Sequence, residues 1–289
     1  MPTRRQLIVG GAIATVTGLS TPAWAQARDP IAALLEGTDG RIGVAALNTN
    51  TGQRLMIDAE ARYPLLSTFK LVLAAAVLAR VERGQMALTD KVRFTAADLL
   101  EYAPVVRAAA ATGELSVEAL CAAAVEQSDN SAANLLLMKI GGPGGLTRFI
   151  RQSGDPATRL DRMEPELNRF AAGGELDTTI PYAMARLTKQ LLTGGEVLSA
   201  ASRQRLIGWM VASQTGLKRL RAGLPANWVV GDKTGTSGRG QWNDVAIATP
   251  PGRKPIIIAS YLDAPGLDPA KADAVHVEVG KLIGAIWAR

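Results

Sequence analysis

The sequence predicts an α/β protein of the α+β kind: an antiparallel sheet covered by N- and C-terminal helices, with an inserted lobe made only of helices. Strand patterns lie near both ends of the chain, whereas alanine- and leucine-rich segments with helical spacing fill its middle. Short connections between the strand patterns favour antiparallel pairing. We expect one domain over 26–289, with a sheet lobe from 26–60 and 213–289 and a helical lobe from 61–212.

The individual elements follow from local patterns. RIGVAALNTNTGQRLMIDA has two apolar runs around an Asn/Gly-rich turn and predicts a hairpin. Helical spacing predicts helices over 68–83, 116–127, 131–140, 144–152, 181–193 and 200–212. Strand character returns in NWVVGDKTG, NDVAIATP and KPIIIASYLD, and a helix is predicted over 269–288.

The first 25 residues have the pattern of an export signal peptide. Arg4 and Arg5 precede a mild apolar run, and Ala23-Trp24-Ala25 lies before an expected cleavage at Gln26. The adjacent arginines favour twin-arginine export, with an ordinary secretory signal as the alternative. We therefore expect an exported protein, in the periplasm, or secreted if the host lacks an outer membrane.

Composition argues against several kinds of partner. The chain has 32 Lys and Arg residues against 26 Asp and Glu, and the basic residues are dispersed, which disfavours nucleic acid. Its single cysteine, Cys121, and single histidine, His276, lie in apolar helical segments and are expected to be structural. They cannot supply the usual ligands of zinc. We expect no metal, no cofactor, no membrane partner after signal removal, and a monomer.

A candidate nucleophile lies at the helix start in YPLLSTFKLVLAAAVL. Ser67 and Lys70 are three residues apart, so both side chains share one helical face and the amine can reach the hydroxyl. An amine can act as a general base where its neighbours lower its pKa. Because Ser-x-x-Lys is a short pattern, the alternative is a helix cap followed by a solvated lysine.

Two further tripeptides follow in order along the chain. They are Ser128-Asp129-Asn130 in QSDNSAAN and Lys233-Thr234-Gly235 in GDKTGTSG. Together with Ser67 and Lys70, these motifs resemble those of the penicillin-recognising serine enzymes, which are β-lactamases and penicillin-binding DD-peptidases. The resemblance extends over the whole mature chain and implies a small-molecule β-lactam substrate. Asp129 is expected to be structural, because its carboxylate can satisfy backbone donors at its turn.

The stretch TRLDRMEPELNRFAAGGELDTTIP is similar to the omega loop of class A β-lactamases. The resemblance assigns the hydrolytic base to Glu164, and not to the nearby Glu166, and places Asn168 beside it. It also implies an ion pair between Arg162 and Asp177 at the base of the loop. The resemblance also implies that Asn134, on the helical lobe, supports the loop.

The resemblance implies a class A serine β-lactamase that hydrolyses penicillins, and some cephalosporins, through an acyl-enzyme and so confers antibiotic resistance. Ser67 would attack, and its proton would pass to Lys70 or, through water, to Glu164. The backbone N–H groups of Ser67 and Thr236 would form the oxyanion hole.

Further steps and contacts are implied by the same resemblance. Ser128, held near Lys233, would pass a proton to the ring nitrogen, and Glu164 with Asn168 would activate the deacylating water. Arg219 would support the site for the substrate carboxylate, with Arg221 as a competing assignment. The implied substrate-binding residues are Tyr102, Asn130, Arg219, Thr234, Gly235, Thr236 and Ser237. The alternative for Tyr102 is a packed core aromatic.

Two other functions stay open. A DD-peptidase shares the first three motifs, but the stretch from Glu164 to Asn168 argues against it. A β-lactam-sensing binding domain would stay acylated, yet such sensors are normally tethered to a membrane relay, and no long apolar segment follows the signal. Carbapenem-hydrolysing members typically carry a disulfide at the positions occupied here by Leu66 and Ser237, so strong carbapenem hydrolysis is not expected.

Overall fold

The computed structural model describes residues 29–171 and 173–288. The export signal predicted over the first 25 residues therefore lies outside the described residues. Within these ranges, no helix combines the length and the apolar character that a membrane crossing requires.

Nine strands occur in the described part of the chain, and five of them form one antiparallel sheet in the order β2-β1-β9-β8-β7. The strands are β1 (Arg41–Asn48), β2 (Arg54–Ile57), β3 (Tyr63–Pro64), β4 (Lys91–Arg93), β5 (Glu114–Ser116), β6 (Thr178–Thr179), β7 (Val229–Thr236), β8 (Gln241–Thr249) and β9 (Ile256–Asp263). The pairing of β1 with β9 joins the two ends of the chain, as the strand patterns predicted.

Ten α-helices accompany these strands in the described ranges. They are α1 (Asp29–Leu35), α2 (Phe69–Glu82), α3 (Pro104–Ala108), α4 (Val117–Glu126), α5 (Asn130–Ile140), α6 (Gly142–Gln152), α7 (Pro181–Thr193), α8 (Ala200–Val211), α9 (Leu220–Gly223) and α10 (Pro269–Trp287). Side-chain caps define several helix starts. Ser116, Asp129, Ser199 and Asp268 each accept a hydrogen bond from a backbone N–H in the first turn of the helix that follows.

The sheet separates two apolar clusters. Along β1, Ala45 and Leu47 belong to one cluster, whereas Val44 and Ala46 belong to the other, as the alternation of side chains in a strand requires. Helices α1, α9 and α10 pack on one face, and α7 and α8 contact strands on the other. The sheet is therefore covered on both sides, which explains why β8 is buried almost throughout.

Helix α2 is the centre of the helical lobe. Every residue from Phe69 to Ala79 is buried, so the helix is surrounded on all sides, which accounts for a sequence there that is apolar except for Lys70. The predicted mixed fold with an antiparallel sheet is confirmed, and the six predicted middle helices are present to within about two residues at their ends.

Some elements differ from the sequence prediction. The helix expected from residue 68 begins at Phe69, after a separate 3₁₀ turn over Leu66–Thr68. The β3–β6 and β4–β5 ladders were not predicted, because pairs of two or three residues carry no periodic signal. The β3–β6 ladder matters for the site, since it joins the segment before Ser67 to the end of the loop that carries Glu164.

Candidate active site

Ser67 lies in the tight 3₁₀ turn that connects β3 to α2. Leu66 before it has a positive φ of 48°, a conformation that costs energy for a residue with a side chain. Two contacts hold the turn: Thr68 Oγ1 donates to Leu65 O at 2.6 Å, and Asn243 Nδ2 on β8 donates to Pro64 O at 2.8 Å. The hydroxyl of Ser67 is thus carried by a braced turn that ends in a buried helix.

Gly235 on β7 passes directly behind this turn. A Cβ atom at Gly235 would lie 2.8 Å from Leu66 Cβ and 3.2 Å from the backbone N of Ser67. Both separations are shorter than an ordinary contact between heavy atoms. Only glycine allows strand β7 to approach the Ser67 turn so closely, which is the approach that an oxyanion hole shared by Ser67 and Thr236 needs.

Lys70 is fully buried, and its amine joins the catalytic candidates. Nζ donates to Ser67 Oγ at 3.0 Å and to Asn130 Oδ1 at 2.5 Å. It also donates to the carbonyl of Ser128 at 2.8 Å and lies 3.1 Å from Glu164 Oε1. The i, i+3 spacing predicted the first contact, whereas the others come from two separate parts of the chain, the Ser128–Asn130 tripeptide and the loop that carries Glu164.

Burial lowers the pKa of the Lys70 amine, because removal from water disfavours its charged form. The carboxylate of Glu164 opposes this effect by attracting the charged form. The net shift of the pKa is downward, so the neutral amine, which is the form that can accept a proton, is more accessible at neutral pH than it is for a solvated lysine. The solvated lysine that the short motif left open is therefore wrong.

Ser128 lies between two lysines. Its Oγ accepts from Lys233 Nζ at 3.0 Å and lies 3.4 Å from Lys70 Nζ. Ser128 has a positive φ of 56°, which turns this residue out of the regular geometry of helix α5 that follows. Burial, and then the nearby charge of Lys70, hold the pKa of Lys233 well below its usual value.

Glu164 is 2% exposed and lies in the loop between α6 and β6. Its carboxylate Oε2 accepts from Asn168 Nδ2 at 2.6 Å. Asn134 on α5 fixes its backbone, because Nδ2 donates to Glu164 O at 2.8 Å and Oδ1 accepts from Glu164 N at 3.0 Å. Glu166 is exposed, so the loop brings only the first of these two glutamates to Lys70.

The base of this loop is closed by an ion pair. Arg162 Nε lies 2.5 Å from Asp177 Oδ2, and Asp177 is fully buried. The backbone of Asp177 also accepts from Leu65 N at 2.8 Å, two residues before Ser67. The peptide bond between Glu164 and Pro165 is cis. The loop is consequently tied both to itself and to the segment that carries the nucleophile candidate.

Arg219 reaches the outer end of β7. Nη1 donates to Gly235 O at 3.0 Å and Nη2 donates to Thr236 Oγ1 at 2.7 Å, while Asp273 on α10 pairs with Nε at 2.9 Å. The competing Arg221 is directed elsewhere, because its Nε pairs with buried Asp232 at 2.9 Å. The structure thus brings Arg219 to this end of the strand.

The remaining predicted binding residues border the same region. Thr234 Oγ1 donates to Thr215 Oγ1 at 2.7 Å, and Ser237 Oγ donates to Gln241 Oε1 at 2.5 Å. Tyr102 is 51% exposed and its carbonyl accepts from the backbone N of Asn130, so it is not a core aromatic.

The contacts of Asp129, the single cysteine and the single histidine indicate structural roles. The carboxylate of Asp129 accepts from Ala132 N, Val105 N and Val106 N, as a turn residue that satisfies backbone donors does. Burial raises the pKa of Cys121. His276 Nδ1 accepts from Ser260 at 2.9 Å, and burial lowers its pKa to about 3, so the imidazole is neutral.

Sequence reasoning missed a pair of buried acids on β7 and β8. Asp232 and Asp244 are both fully buried, and each has one carboxylate oxygen without a hydrogen-bond partner. Burial raises the pKa of both groups, and the charge of Asp232 raises that of Asp244 further. A polar residue within the apolar run NDVAIATP was the signal that could have found Asp244.

No set of three or more acidic, histidine or cysteine side chains suited to a metal ion occurs in 29–171 and 173–288. The chemistry available here is that of a hydroxyl, two amines of lowered pKa and a buried carboxylate. Together, these side chains can form an ester between the hydroxyl and a carbonyl compound and then hydrolyse that ester.

Comparison with known proteins identifies the family of this chain. The sequence model of the β-lactamase enzyme family matches residues 26–287. The chain is 43% identical to β-lactamase L2 of Stenotrophomonas maltophilia, over 96% of this chain and 91% of the relative. It is 44% identical to the carbapenem-hydrolysing β-lactamase KPC of Klebsiella oxytoca, over 88% of this chain and 86% of the relative.

Solved structures agree with the sequence relatives. An ancestral class A β-lactamase (GNCA) superposes with a TM-score of 0.86 at 50% identity, covering 91% of this chain and 100% of that chain. A β-lactamase from Xanthomonas campestris superposes with a TM-score of 0.87 at 45% identity, covering 91% and 98%. The chain belongs to the β-lactamase enzyme family and is a class A serine β-lactamase.

Proposed function

We propose that this β-lactamase opens the ring of penicillins, and of some cephalosporins, through an acyl-enzyme on Ser67. The observation that carries the proposal is the position of Lys70 Nζ, which lies 3.0 Å from Ser67 Oγ and 3.1 Å from Glu164 Oε1. A buried amine of lowered pKa at this position can take the proton of the hydroxyl, directly or as part of a relay to Glu164.

In the proposed acylation, Ser67 Oγ forms a bond to the β-lactam carbonyl carbon. The negative charge of the tetrahedral intermediate falls on the carbonyl oxygen, between the backbone N–H groups of Ser67 and Thr236. One such donor is worth about 3 kcal/mol in related acyl transfers. The carbon–nitrogen bond then breaks, and the nitrogen takes a proton from Ser128, whose hydroxyl accepts from Lys233 at 3.0 Å.

In the proposed deacylation, Glu164 removes a proton from a water molecule as that water attacks the ester carbon. Asn168, which donates to Glu164 Oε2 at 2.6 Å, fixes the carboxylate and offers a polar neighbour to the water. Ser67 leaves with a returned proton. A positioned general base of this kind contributes about 10²- to 10⁴-fold to a rate.

Substrate recognition is proposed for the residues around the end of β7. Lys233, Thr234 and Thr236 would bind the substrate carboxylate, and Arg219 would add positive charge from behind the strand. The backbone of Gly235 and the side chain of Ser237 would line the same strand edge. The exposed ring of Tyr102 would form a wall of the cleft, and the amide of Asn130 would bind the substrate side chain.

Hydrolysis is favoured over the two alternatives by the same glutamate. A DD-peptidase or a β-lactam sensor would stop at a long-lived acyl-enzyme, whereas Glu164 is buried beside Lys70 and Asn168. KPC is named for carbapenem hydrolysis. In this chain Leu66 and Ser237 cannot form a disulfide, so we propose penicillins and some cephalosporins as the main substrates.

The proposal includes the setting of the enzyme. We infer that a twin-arginine signal over residues 1–25 is removed and that residues 26–289 form a single catalytic domain. The mature enzyme would act as a periplasmic monomer without a cofactor, where β-lactams reach it before their targets. Mass spectrometry of the mature N-terminus tests the cleavage site.

The deciding experiment is benzylpenicillin turnover by the purified mature chain, counted as product molecules per enzyme molecule over minutes. We expect many turnovers, abolished by Ser67→Ala and kept by Ser202→Ala, a serine on α8 outside the site. A burst that ends at one product per enzyme would favour the peptidase or sensor. Turnover by Ser67→Ala would overturn the proposed nucleophile.

A further inference from the structure

A cavity of about 640 Å³ lies away from the residues assigned to catalysis. It is open to solvent and is lined by the turn between β1 and β2, the loop after α6, and helix α7. Buried apolar side chains contribute to its lining, among them Leu47, Ala183 and Leu187. Its volume falls in the range of about 300–1,000 Å³ that is typical of small-molecule sites.

Basic side chains dominate the charge of this cavity. Arg54, Arg186 and Lys189 line it and are exposed. Over the part of the chain that the structure describes, no carboxylate lies within ion-pair distance of any of the three. The lining also contains two acids, Asp155 and the exposed Glu196, which accepts from Gln190 at 3.0 Å, so three basic groups face two acidic ones and the excess is one positive charge.

One aromatic ring contacts two of these cations. The guanidinium carbons of Arg54 and Arg186 lie 5.6 and 5.8 Å from the centroid of the Tyr182 ring. Arg54 Nη1 also donates to the Tyr182 hydroxyl at 2.7 Å. The ring attracts both cations, so Arg54 and Arg186 share one aromatic neighbour.

The remaining acid of the cavity does not neutralise it. Asp155 is 4% exposed, and its Oδ1 accepts from Ala157 N at 2.7 Å and from Thr158 N at 3.0 Å. Its other oxygen, Oδ2, is buried without a hydrogen-bond partner among the described residues. Asp155 therefore shapes the loop wall, whereas the three basic groups are exposed at the rim, where a ligand can reach them.

We propose that this cavity binds a small organic anion with an aromatic or apolar body. The acidic group would bind beside Tyr182 at the exposed guanidinium groups of Arg54 and Arg186, because a guanidinium can donate two parallel hydrogen bonds to a carboxylate or sulfonate. Lys189 would add a third positive charge at the rim. The apolar body would pack against Tyr182 and the buried side chains of α7.

The probe for this site is 8-anilinonaphthalene-1-sulfonate, a fluorescent aromatic sulfonate. Titration of the mature enzyme should give saturable binding of one molecule per chain. Arg186→Gln and Arg54→Gln should each raise the dissociation constant about tenfold, the effect of losing roughly 1.4 kcal/mol of interaction. Benzylpenicillin turnover should stay unchanged in both variants, because neither residue belongs to the proposed catalytic machinery.

Arg93→Gln is the matched control, because Arg93 is an exposed arginine on β4 that does not line the cavity. It removes the same charge and should leave probe binding unchanged. Arg186 has the Tyr182 ring as its side-chain contact among the described residues, so its variant tests the site even if Arg54→Gln fails to fold. Non-saturable binding, or equal weakening by Arg93→Gln and Arg186→Gln, would overturn the proposal.

Discussion

Replacing Glu164 by glutamine separates the charge of this side chain from its shape. The amide has almost the same size, so the hydrogen bonds between the Glu164 backbone and Asn134 can persist. What disappears is the carboxylate that lies 3.1 Å from Lys70 Nζ and accepts from Asn168. The variant therefore tests the proposed hydrolytic base without opening the loop.

The structure allows the competing effects to be compared. Two unit charges 3.1 Å apart attract by about 5 kcal/mol at an effective dielectric constant of about 20. Loss of one partner of a buried pair costs about 3–5 kcal/mol when the other stays charged. Burial already lowers the pKa of Lys70, so its amine can release a proton and avoid that cost. We therefore expect a modest loss of stability and a loss of deacylation rate of about 10²- to 10⁴-fold.

The assay is mass spectrometry of the enzyme after brief mixing with benzylpenicillin. Glu164→Gln should carry an adduct with the mass of one intact substrate molecule, and a tryptic digest should place it on the peptide that contains Ser67. Product release should show a burst of about one molecule per enzyme followed by slow turnover, because acylation then outpaces deacylation.

Glu166→Gln is the matched control. It makes the same chemical change two residues along the loop, at an exposed side chain. It should turn over benzylpenicillin like the unmodified enzyme and accumulate no adduct. Unimpaired turnover by Glu164→Gln, or an adduct that appears only with Glu166→Gln, would refute the assignment of Glu164.

Three further predictions follow from the geometry. Gly235→Ala should lower kcat/KM about 100-fold, because its Cβ would displace the turn that carries Ser67, whereas Gly238→Ala, whose Cβ meets nothing within 4 Å, should have little effect in the same assay. Asp244→Asn should stabilise the fold in urea titrations by about 1–3 kcal/mol at pH 8 and by less near pH 4. Because the pKa of Asp244 is raised, the folded state binds more protons than the unfolded state above about pH 4. The native enzyme therefore loses stability as the pH rises, whereas the variant, which lacks the carboxylate, does not undergo this loss. The NMR signals of the His276 ring should not titrate between pH 8 and pH 5, since burial lowers its pKa to about 3; a midpoint near 6.5 would contradict the structure.

The elements that sequence predicted best are those with long periodic patterns. The structure contains β9, predicted from a continuous apolar run, and α7, predicted from helical spacing, with nearly the predicted bounds. The hairpin at 41–59 was found because an Asn/Gly-rich turn separates its strands. The short β3–β6 ladder depends on residues more than a hundred positions apart, and no local pattern reports such a pairing.

The residues of the candidate site also differ in how far local sequence patterns predict their contacts. The contact between Ser67 and Lys70 follows from helix geometry alone, because the two residues share a face. The resemblance to a known family supplied Asn130 and Glu164, and helix geometry could not have placed either beside Lys70 Nζ. Asp244 was overlooked, since a single acid in an apolar strand is usually a solvated or capping residue and here it is buried.

The charge balance of the buried lysines explains how this site can work without a histidine. Lys70 and Lys233 approach the same Ser128 hydroxyl, at 3.4 and 3.0 Å, and the charge of Lys70 lowers the pKa of Lys233. Burial disfavours two full charges there and lowers the pKa of both amines, while Glu164 partly offsets the effect at Lys70. Lys70 Nζ lies within hydrogen-bond reach of Ser67 as well as Ser128. A proton leaving the proposed nucleophile can therefore enter this pair and later reach the ring nitrogen, while His276 stays neutral and buried against Ser260.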